Sequence, residues 1–473
     1  KNTIIMIHFN YQSQLKLILT FSNLLSRILN ISFFLVAFML LNLNLSAQSP
    51  SIEWQNNYGG SSDEDAKSVH QTNDGGYIVA GRSKSNNGDV SGNNGDYDTW
   101  LVKLDASGTI LWEVNYGGSQ DDIAYSVRQT DDGGYIVVGA TESAGGDVSG
   151  NNGYEDYWIV KLDASGIILW EKHYGGSSGD SARSVQQTDD GGYIVAGYSN
   201  SDDVNLSGNN GETDYWLLKL DANGTILWEG NYGGTTSDIA RSVHQTEDGG
   251  YIVAGESESN DVDVTGNNGD FDYWLVKLDS SGTILWEGNY GGTTDDKARS
   301  VRQTEDGGYI VAGESESDDG DVSGNNGDDD YWLLKLDASG TILWEGNYGG
   351  SDYDRAYSVQ QTEDGDYIIA GRSLSDDGDV SGNNGNFHGD YWLVKLNGFG
   401  SIQWEGNYGG SEDDDAFFVQ QTEDGGYILV GRSESDDGDV SGNNGNEDFW
   451  VVKLNGNLST ENPSSVDEIQ TSL

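Results

Sequence analysis

The sequence repeats one unit seven times, and this periodicity restricts the fold more than any other feature. The first tryptophan of each unit follows its predecessor by 58 residues, except in the last unit, where the spacing is 60. These residues are Trp54, Trp112, Trp170, Trp228, Trp286, Trp344 and Trp404. The other seven of the 14 tryptophans recur at a second fixed place, from Trp100 to Trp450. Such a chain folds as an array of equal units, each packed against its neighbours.

Each unit contains four short apolar or β-branched segments separated by Gly, Asp, Asn and Ser. The first such segments are 66–72, 77–81, 100–104 and 109–113. Asp-Gly-Gly at 74–76 is a hairpin signal between the first two. No segment has the 3.6-residue apolar period of a helix, which excludes helical repeats. Four antiparallel strands in about 58 residues predict one blade, so the sequence predicts an all-β fold, a seven-bladed β-propeller.

The phase of the repeat predicts how the ring closes. The chain begins on the fourth strand of a blade, at 52–58, and its last repeat ends on a third strand, at 449–454. We therefore expect one blade to combine both ends of the propeller domain, which spans residues 51–457.

The N-terminal region has the order of a secretory signal. Arg27 precedes an apolar run at 31–41, and small residues at 46–47 precede Gln48. The run is shorter than the roughly 20 apolar residues of a membrane span. We expect a signal peptide over residues 1–47, cleaved after Ala47, and we interpret the segment before Met6 as an overextended reading frame.

Residues 272–313 contain, in order, Asp-Tyr-Trp-Leu-Val-Lys-Leu-Asp, Gly-Thr-Ile-Leu-Trp-Glu-Gly-Asn-Tyr-Gly-Gly and Gln-Thr-Glu-Asp-Gly-Gly-Tyr-Ile-Val-Ala-Gly. This pattern resembles a family of exported bacterial β-propeller repeat proteins, and the likeness spans 51–457. Members of that family commonly carry a C-terminal sorting domain for type IX secretion. Residues 461–468 resemble the linker before such a domain, which the sequence lacks, so 458–473 are interpreted as a linker or truncated tail. The resemblance implies a secreted or cell-surface protein and brings no established activity.

The charge excludes several classes of partner. Acidic residues outnumber basic residues by 79 to 23, and such a surface repels phosphates and anionic lipid headgroups. We therefore exclude nucleic acid and membrane-surface binding. The chain has no cysteine, which excludes disulfides and thiolate metal sites. These features favour a monomeric binding or scaffold protein with a glycan or protein ligand.

The long loop between the second and third strands has the ligand spacing of an EF-hand loop. Such a loop places oxygen ligands at positions 1, 3, 5 and 12 and glycine at position 6. The matching side chains are Asp319, Asp321, Ser323 and Asp330 in blade five, Asp261, Asp263, Thr265 and Asp272 in blade four, Asp437, Asp439, Ser441 and Asp448 in blade seven, and Asp203, Asn205, Ser207 and Asp214 in blade three. We expect calcium (Ca2+) as a cofactor there. The alternative is a solvated loop without an ion, because these residue types favour turns for their own reasons.

One position of the first strand varies between blades, and first strands line the channel of a propeller. The residues are His70, Arg128, Gln186, His244, Arg302, Gln360 and Gln420. Arginines at 183, 241, 299 and 355 lie on or beside the same strands, which makes the channel the least acidic part of the protein. We predict a channel for an anionic or sugar ligand. The alternative is that these groups bridge blades and offset nearby acids.

An enzyme needs a constellation that does not repeat, because a nucleophile and its base must stand in one asymmetric geometry. The departures from the repeat are His173, Phe417 with Phe418, and an insertion at 387–389, and none supplies such a constellation. A binding role is therefore favoured. The alternative is a propeller enzyme, a glycosidase or lyase, acting on polysaccharide. We expect function on the face of the long acidic loops.

Overall fold

The computed structural model describes residues 48–203, 209–383 and 388–456, and within them the chain forms 28 strands. The strands are β1 (Ile52–Tyr58), β2 (Glu64–Gln71), β3 (Tyr77–Ser83), β4 (Asp98–Leu104), β5 (Ile110–Tyr116), β6 (Asp122–Gln129), β7 (Tyr135–Thr141), β8 (Asp156–Leu162), β9 (Ile168–Tyr174), β10 (Asp180–Gln187), β11 (Tyr193–Ser199), β12 (Asp214–Leu220), β13 (Ile226–Tyr232), β14 (Asp238–Gln245), β15 (Tyr251–Ser257), β16 (Asp272–Leu278), β17 (Ile284–Tyr290), β18 (Asp296–Gln303), β19 (Tyr309–Ser315), β20 (Asp330–Leu336), β21 (Ile342–Tyr348), β22 (Asp354–Gln361), β23 (Tyr367–Ser373), β24 (Asp390–Leu396), β25 (Ile402–Tyr408), β26 (Asp414–Gln421), β27 (Tyr427–Ser433) and β28 (Asp448–Leu454). They form seven four-stranded antiparallel sheets, which confirms the seven-bladed propeller.

The ring closes by pairing of the first and last strands, as the phase of the repeat predicts. β1 pairs antiparallel with β28, and Asn57 lies opposite Trp450 and Tyr58 opposite Phe449. Blade seven therefore has the strand order β1-β28-β27-β26. One blade is built from both ends of the described chain.

The hydrophobic cores lie between successive blades. Trp332 on β20 is fully buried, and its ring centroid lies 4.6 Å from that of Tyr273 on β16 of the preceding blade. The Tyr273 hydroxyl donates to the Trp332 carbonyl at 2.9 Å. The apolar face of each blade is buried against the adjacent blade, so a single repeat cannot bury its own core.

The repeated third-strand lysines are structural, and each pairs with the aspartate of an Asp-Gly turn rather than with the glutamate that follows the first tryptophan in six of the seven repeats. Lys103 pairs with Asp74 of the Asp-Gly-Gly turn at 3.0 Å and donates to the Leu104 carbonyl at 3.0 Å. The glutamate at that place, Glu113, accepts a hydrogen bond from the Trp100 indole at 3.0 Å. The turn carboxylate lies at the end of the neighbouring strand, within reach of the buried lysine, so it takes the ammonium.

The two ends of the blades differ. We call the end with the tight connections, such as 72–76 and 105–109, the turn face, and the end with the long connections, such as 84–97, the loop face. First strands run from the loop face to the turn face. In the part of the chain that the structure describes, no helix has the length and hydropathy needed to cross a bilayer. The predicted signal peptide and C-terminal tail lie outside the described residues.

Candidate ligand-binding channel

The seven variable first-strand residues surround one cavity on the ring axis. His70, Arg128, Gln186, His244, Arg302, Gln360 and Gln420 all line this inner cavity, which has a volume of 330 Å³. A wider cavity of 860 Å³ shares six of these residues and extends to the turn face, where the ends of the first strands line it. Both volumes are within or near the range of ligand pockets, roughly 300 to 1,000 Å³.

The glutamines among these residues connect neighbouring blades. The side-chain oxygen of Gln186 accepts from the Gln245 backbone N–H at 2.7 Å, and that of Gln360 accepts from Gln421 N–H at 2.9 Å. Gln420 does the same for Gln71 at 2.8 Å. Blade bridging, the alternative to ligand binding, therefore applies to these three side chains.

The two channel arginines have no such partner. Arg128 and Arg302 donate to the carbonyls of their own neighbours, Val127 at 2.9 Å and Val301 at 2.8 Å. Among the described residues, no carboxylate forms an ion pair with either guanidinium. Burial lowers the pKa of Arg128 to about 9, with a further contribution from the charge of Arg302, and lowers that of Arg302 to about 10. Both remain charged at neutral pH.

The channel histidines are neutral. Burial, followed by the nearby arginine charges, lowers the pKa of His70 to about 4 and that of His244 to about 3. Each Nδ1 atom is buried without a hydrogen-bond partner. The inner cavity thus has two positive charges and no negative charge among its described lining side chains other than Asp131 at its rim.

A second ring of glutamines fixes the mouth of the channel on the turn face. Each side-chain oxygen accepts from a backbone N–H in the first turn of the preceding blade; for example, Gln303 accepts from Glu247 N–H at 2.8 Å. The ring consists of Gln71, Gln129, Gln187, Gln245, Gln303, Gln361 and Gln421. These bonds link all seven blades in a circle.

The N–H groups held by this ring belong mostly to acidic residues. They are Asn73, Asp131, Asp189, Glu247, Glu305, Glu363 and Glu423. We call the six carboxylates the acidic rim. Sequence reasoning assigned the acidic functional face to the long loops and missed this rim. The signal was present, since an acid follows Gln-Thr in six of the seven repeats.

Toward the loop face, every first strand has a β-bulge. In β2 the pairing register with β3 shifts between Ala66 and Ser68, which leaves Lys67 as the extra residue. The seven bulge residues are Lys67, Tyr125, Arg183, Arg241, Arg299, Tyr357 and Phe417. Bulges re-aim side chains and are common beside functional sites. This position varies between basic and aromatic residues while its neighbours repeat, and that variation is the sequence signal that could have identified the bulge residues.

The side chains of the bulge residues stack on one another or form ion pairs with nearby carboxylates. The Arg183 guanidinium stacks 3.8 Å from the Tyr125 ring centroid, and the Lys67 ammonium lies 3.8 Å from that of Phe417. Arg241 pairs with Glu256 at 2.6 Å. Arg299 pairs with Glu314 in the same way. Three of the arginines that the sequence placed near the channel, at 241, 299 and 355, thus pair with carboxylates, whereas Arg128 and Arg302 form no ion pair among the described residues.

The predicted calcium ligands of blade five have partners within the protein. Asp319 accepts from the Thr293 N–H at 2.8 Å, Ser323 donates to Glu345 at 2.5 Å, and Asp330 accepts from Asn326 N–H at 2.8 Å. Matching bonds join Asp261 to Thr235, Thr265 to Glu287, Asp272 to Asn268, Asp437 to Ser411, Asp448 to Asn444, Asp203 to Ser177 and Asp214 to Asn210, while Ser441 accepts from Gln55. Asn205 and Ser207 lie outside the described residues.

The position-12 aspartates interact with carboxylates of the following blade. Burial raises the pKa of Asp272 to about 7, and the charges of Asp296 and Asp321 add to the increase. Asp321 is the position-3 residue of blade five, so predicted ligands of two successive loops influence each other. The same relation joins Asp214 to Asp263. Within residues 48–203, 209–383 and 388–456, no group of three or more acidic or histidine side chains has the arrangement of a metal centre.

No family model matches the chain. A stretch of 223 residues is 26% identical to the regulatory protein FlaEY of Caulobacter vibrioides, and it covers 43% of this chain and 22% of that protein. The chain thus spans about a fifth of the length of this curated relative.

Among solved structures, the Pan2 WD40 domain of Neurospora crassa is 11% identical with a TM-score of 0.46, over 85% of this chain and 97% of that chain. The phage phi92 endosialidase is 9% identical with a TM-score of 0.42, over 89% and 71%. These values transfer no activity or ligand to this chain.

Proposed function

We propose that the protein is a binding propeller whose central channel holds an anionic group of its ligand between Arg128 and Arg302. The observation that carries this proposal is the presence of two half-buried, unpaired guanidinium groups in a chain with 79 acidic residues. Burying an unpaired charge is costly. Arg241 and Arg299 pair with glutamates, whereas Arg128 has only an aromatic contact, 5.1 Å from the Phe418 ring centroid, and Arg302 has no acidic or aromatic partner among the described residues. A bound carboxylate, sulfate or phosphate would supply the missing counter-charge, and guanidinium groups are well suited to bind it.

Titration calorimetry of the purified protein with a carboxylate probe, N-acetylglycine, and with sulfate tests this proposal. Replacing both arginines (Arg128→Ala with Arg302→Ala) should weaken binding at least tenfold, because loss of a charge-assisted contact costs about 2 kcal/mol or more. Lys84→Ala with Lys172→Ala is the matched control, since both lysines are exposed and their replacement removes the same two positive charges outside the channel. Equal affinity of the double variant and the original protein, or no anion binding by the original protein, would contradict the proposal.

We also propose that the protein acts outside the cell, secreted or on the cell surface, and that calcium stabilises its blade junctions. The signal-like order of residues 1–47 supports export. The crowded carboxylates of successive blades support a cation, because unpaired like charges repel one another. N-terminal sequencing of protein recovered from culture medium should begin at Gln48, and a start before Ala47 would contradict cleavage there.

A further inference from the structure

The distribution of charge along the channel restricts the ligand further than the proposed function does. Arg302 lies in the inner cavity, and Glu305 lies at the mouth three residues later along the chain. An extended chain rises about 3.3 Å per residue and β18 ends at Gln303, so the backbone positions of the positive layer and the acidic rim lie no more than about 10 Å apart. A ligand that reaches the arginines from the turn face therefore passes six carboxylates.

The turn face is the side from which the channel opens. The 860 Å³ cavity is lined by the turn residues and contains none of the bulge residues. At the opposite end of the inner cavity, Phe418 replaces the serine that other blades place in that layer, and the Arg128 guanidinium lies 5.1 Å from its ring centroid. Farther toward the loop face, Phe417 packs 5.2 Å from Tyr357. Aromatic rings therefore occupy the loop-face side of the arginine layer.

A simple anion meets unfavourable charge on this route. The rim side chains Glu247, Glu305, Glu363 and Glu423 are exposed, and the glutamine ring fixes their backbone at the mouth. They repel a polyanion while the arginines attract it. A ligand with a negative group at its tip and positive groups within about 10 Å behind it satisfies both layers.

Resting on the proposed function, we infer that the ligand is the C-terminal end of a basic peptide. Its terminal carboxylate lies between Arg128 and Arg302, and lysine or arginine side chains just before it meet the acidic rim. A peptide end supplies both charges at this separation, because one or two extended residues and a long basic side chain span about 10 Å. The wide mouth has room for such side chains, and the narrow inner cavity has room for the terminus.

Calorimetry with three N-acetylated tetrapeptides tests the inference: Ala-Lys-Lys-Ala with a free carboxylate, the same peptide amidated, and Ala-Glu-Glu-Ala with a free carboxylate. The basic free acid should bind at least tenfold more tightly than either of the others. Glu247→Gln with Glu305→Gln should weaken the basic peptide severalfold and strengthen N-acetylglycine, because the rim attracts the first and repels the second. Asp318→Asn with Asp376→Asn is the matched control, since both residues are exposed in long loops of the loop face.

The outcomes separate this inference from the proposed function. If N-acetylglycine binds through the arginines but the lysines of the peptide add nothing, the channel binds anions and the peptide inference is wrong. If amidation leaves the affinity for the basic peptide unchanged, the carboxylate is not the group that the arginines hold, which also overturns the inference. If no carboxylate probe binds, the proposed function itself fails.

Discussion

At the scale of single residues, the glycines of the repeated Tyr-Gly-Gly pack against carboxylates from two blades. A Cβ atom on Gly117 would lie 2.5 Å from Asp98 Oδ1 and 2.6 Å from Asp122 Oδ2. Gly291 stands in the same relation to Asp272 and Asp296. This close approach could not be predicted from the sequence, because the second carboxylate belongs to the next blade.

We expect Gly117→Ala to destabilise the fold by about 1 to 3 kcal/mol, the usual cost of overpacking. The added methyl group would force two buried aspartates apart. Urea denaturation should therefore show a lower midpoint. Gly145→Ala is the control, because a Cβ atom there meets nothing within 4 Å. Equal effects of the two substitutions would contradict the close packing.

At the scale of strands and loops, the junction between a third strand and the next first strand concentrates carboxylates. Burial raises the pKa of Asp98 to about 6 and that of Asp330 to about 7, and the charges of Asp122 and Asp354, respectively, raise them further. One oxygen of each, Oδ1, is buried without a hydrogen-bond partner. The junction therefore favours binding of a proton or a cation by these carboxylates.

This arrangement predicts that the protein is more stable at mildly acidic pH than at pH 8. The folded-state pKa values of about 6 to 7 exceed the ordinary value of 3.8, so protonation stabilises the fold. That stabilisation is complete near pH 4 and is lost as the pH rises through 6 and 7. Turn aspartates such as Asp132, whose pKa is lowered to about 2 by hydrogen bonds and Lys161, oppose the trend only below about pH 4. A melting temperature that rises steadily between pH 5 and pH 8 would contradict the prediction.

Calcium should substitute for the proton at these junctions. Millimolar calcium is expected to raise the melting temperature at pH 8, chelator is expected to lower it, and both effects should shrink at pH 5. Asp272→Asn with Asp330→Asn should reduce the calcium effect, whereas the loop-face control Asp318→Asn with Asp376→Asn should preserve it. No heat of calcium binding, together with a melt indifferent to chelator at pH 8, would defeat the calcium proposal.

Sequence reasoning was most informative where the repeat carries the signal. The spacing from Trp54 to Trp404 predicted seven blades and their closure, because a period is a property of the chain alone. The bulge residue Lys67 was missed, since a register shift arises from pairing with β3. The partner of Lys103 could not be predicted from the sequence, because it depends on which strand end lies beside the ammonium.

At the scale of the whole molecule, the ring depends on the β1–β28 pair. Deleting residues 51–60 would leave β28 with an unpaired edge and expose the core beneath it. We expect aggregation, or a loss of several kcal/mol that corresponds to a fall in melting temperature of about 10 °C or more. Removing residues 458–473, which lie outside the described residues, is the matched truncation. An unchanged melt after the first deletion would contradict closure by this pair.

The ring also creates the asymmetry on which the proposed function depends. Seven nearly identical blades place two unpaired arginines, Arg128 in blade two and Arg302 in blade five, around one axis. The glutamine ring fixes the backbone of the mouth by hydrogen bonds, and the acidic rim places six carboxylates around it. The repeat thus builds the scaffold, and a few departures from it supply the candidate site.

A crystal structure of the protein grown with N-acetylglycine tests the central claim most directly. The proposed function predicts a carboxylate in the inner cavity, within hydrogen-bond distance of the guanidinium groups of both Arg128 and Arg302. An inner cavity that holds only water at saturating N-acetylglycine, or arginines turned away to pair with carboxylates of the protein, would contradict it.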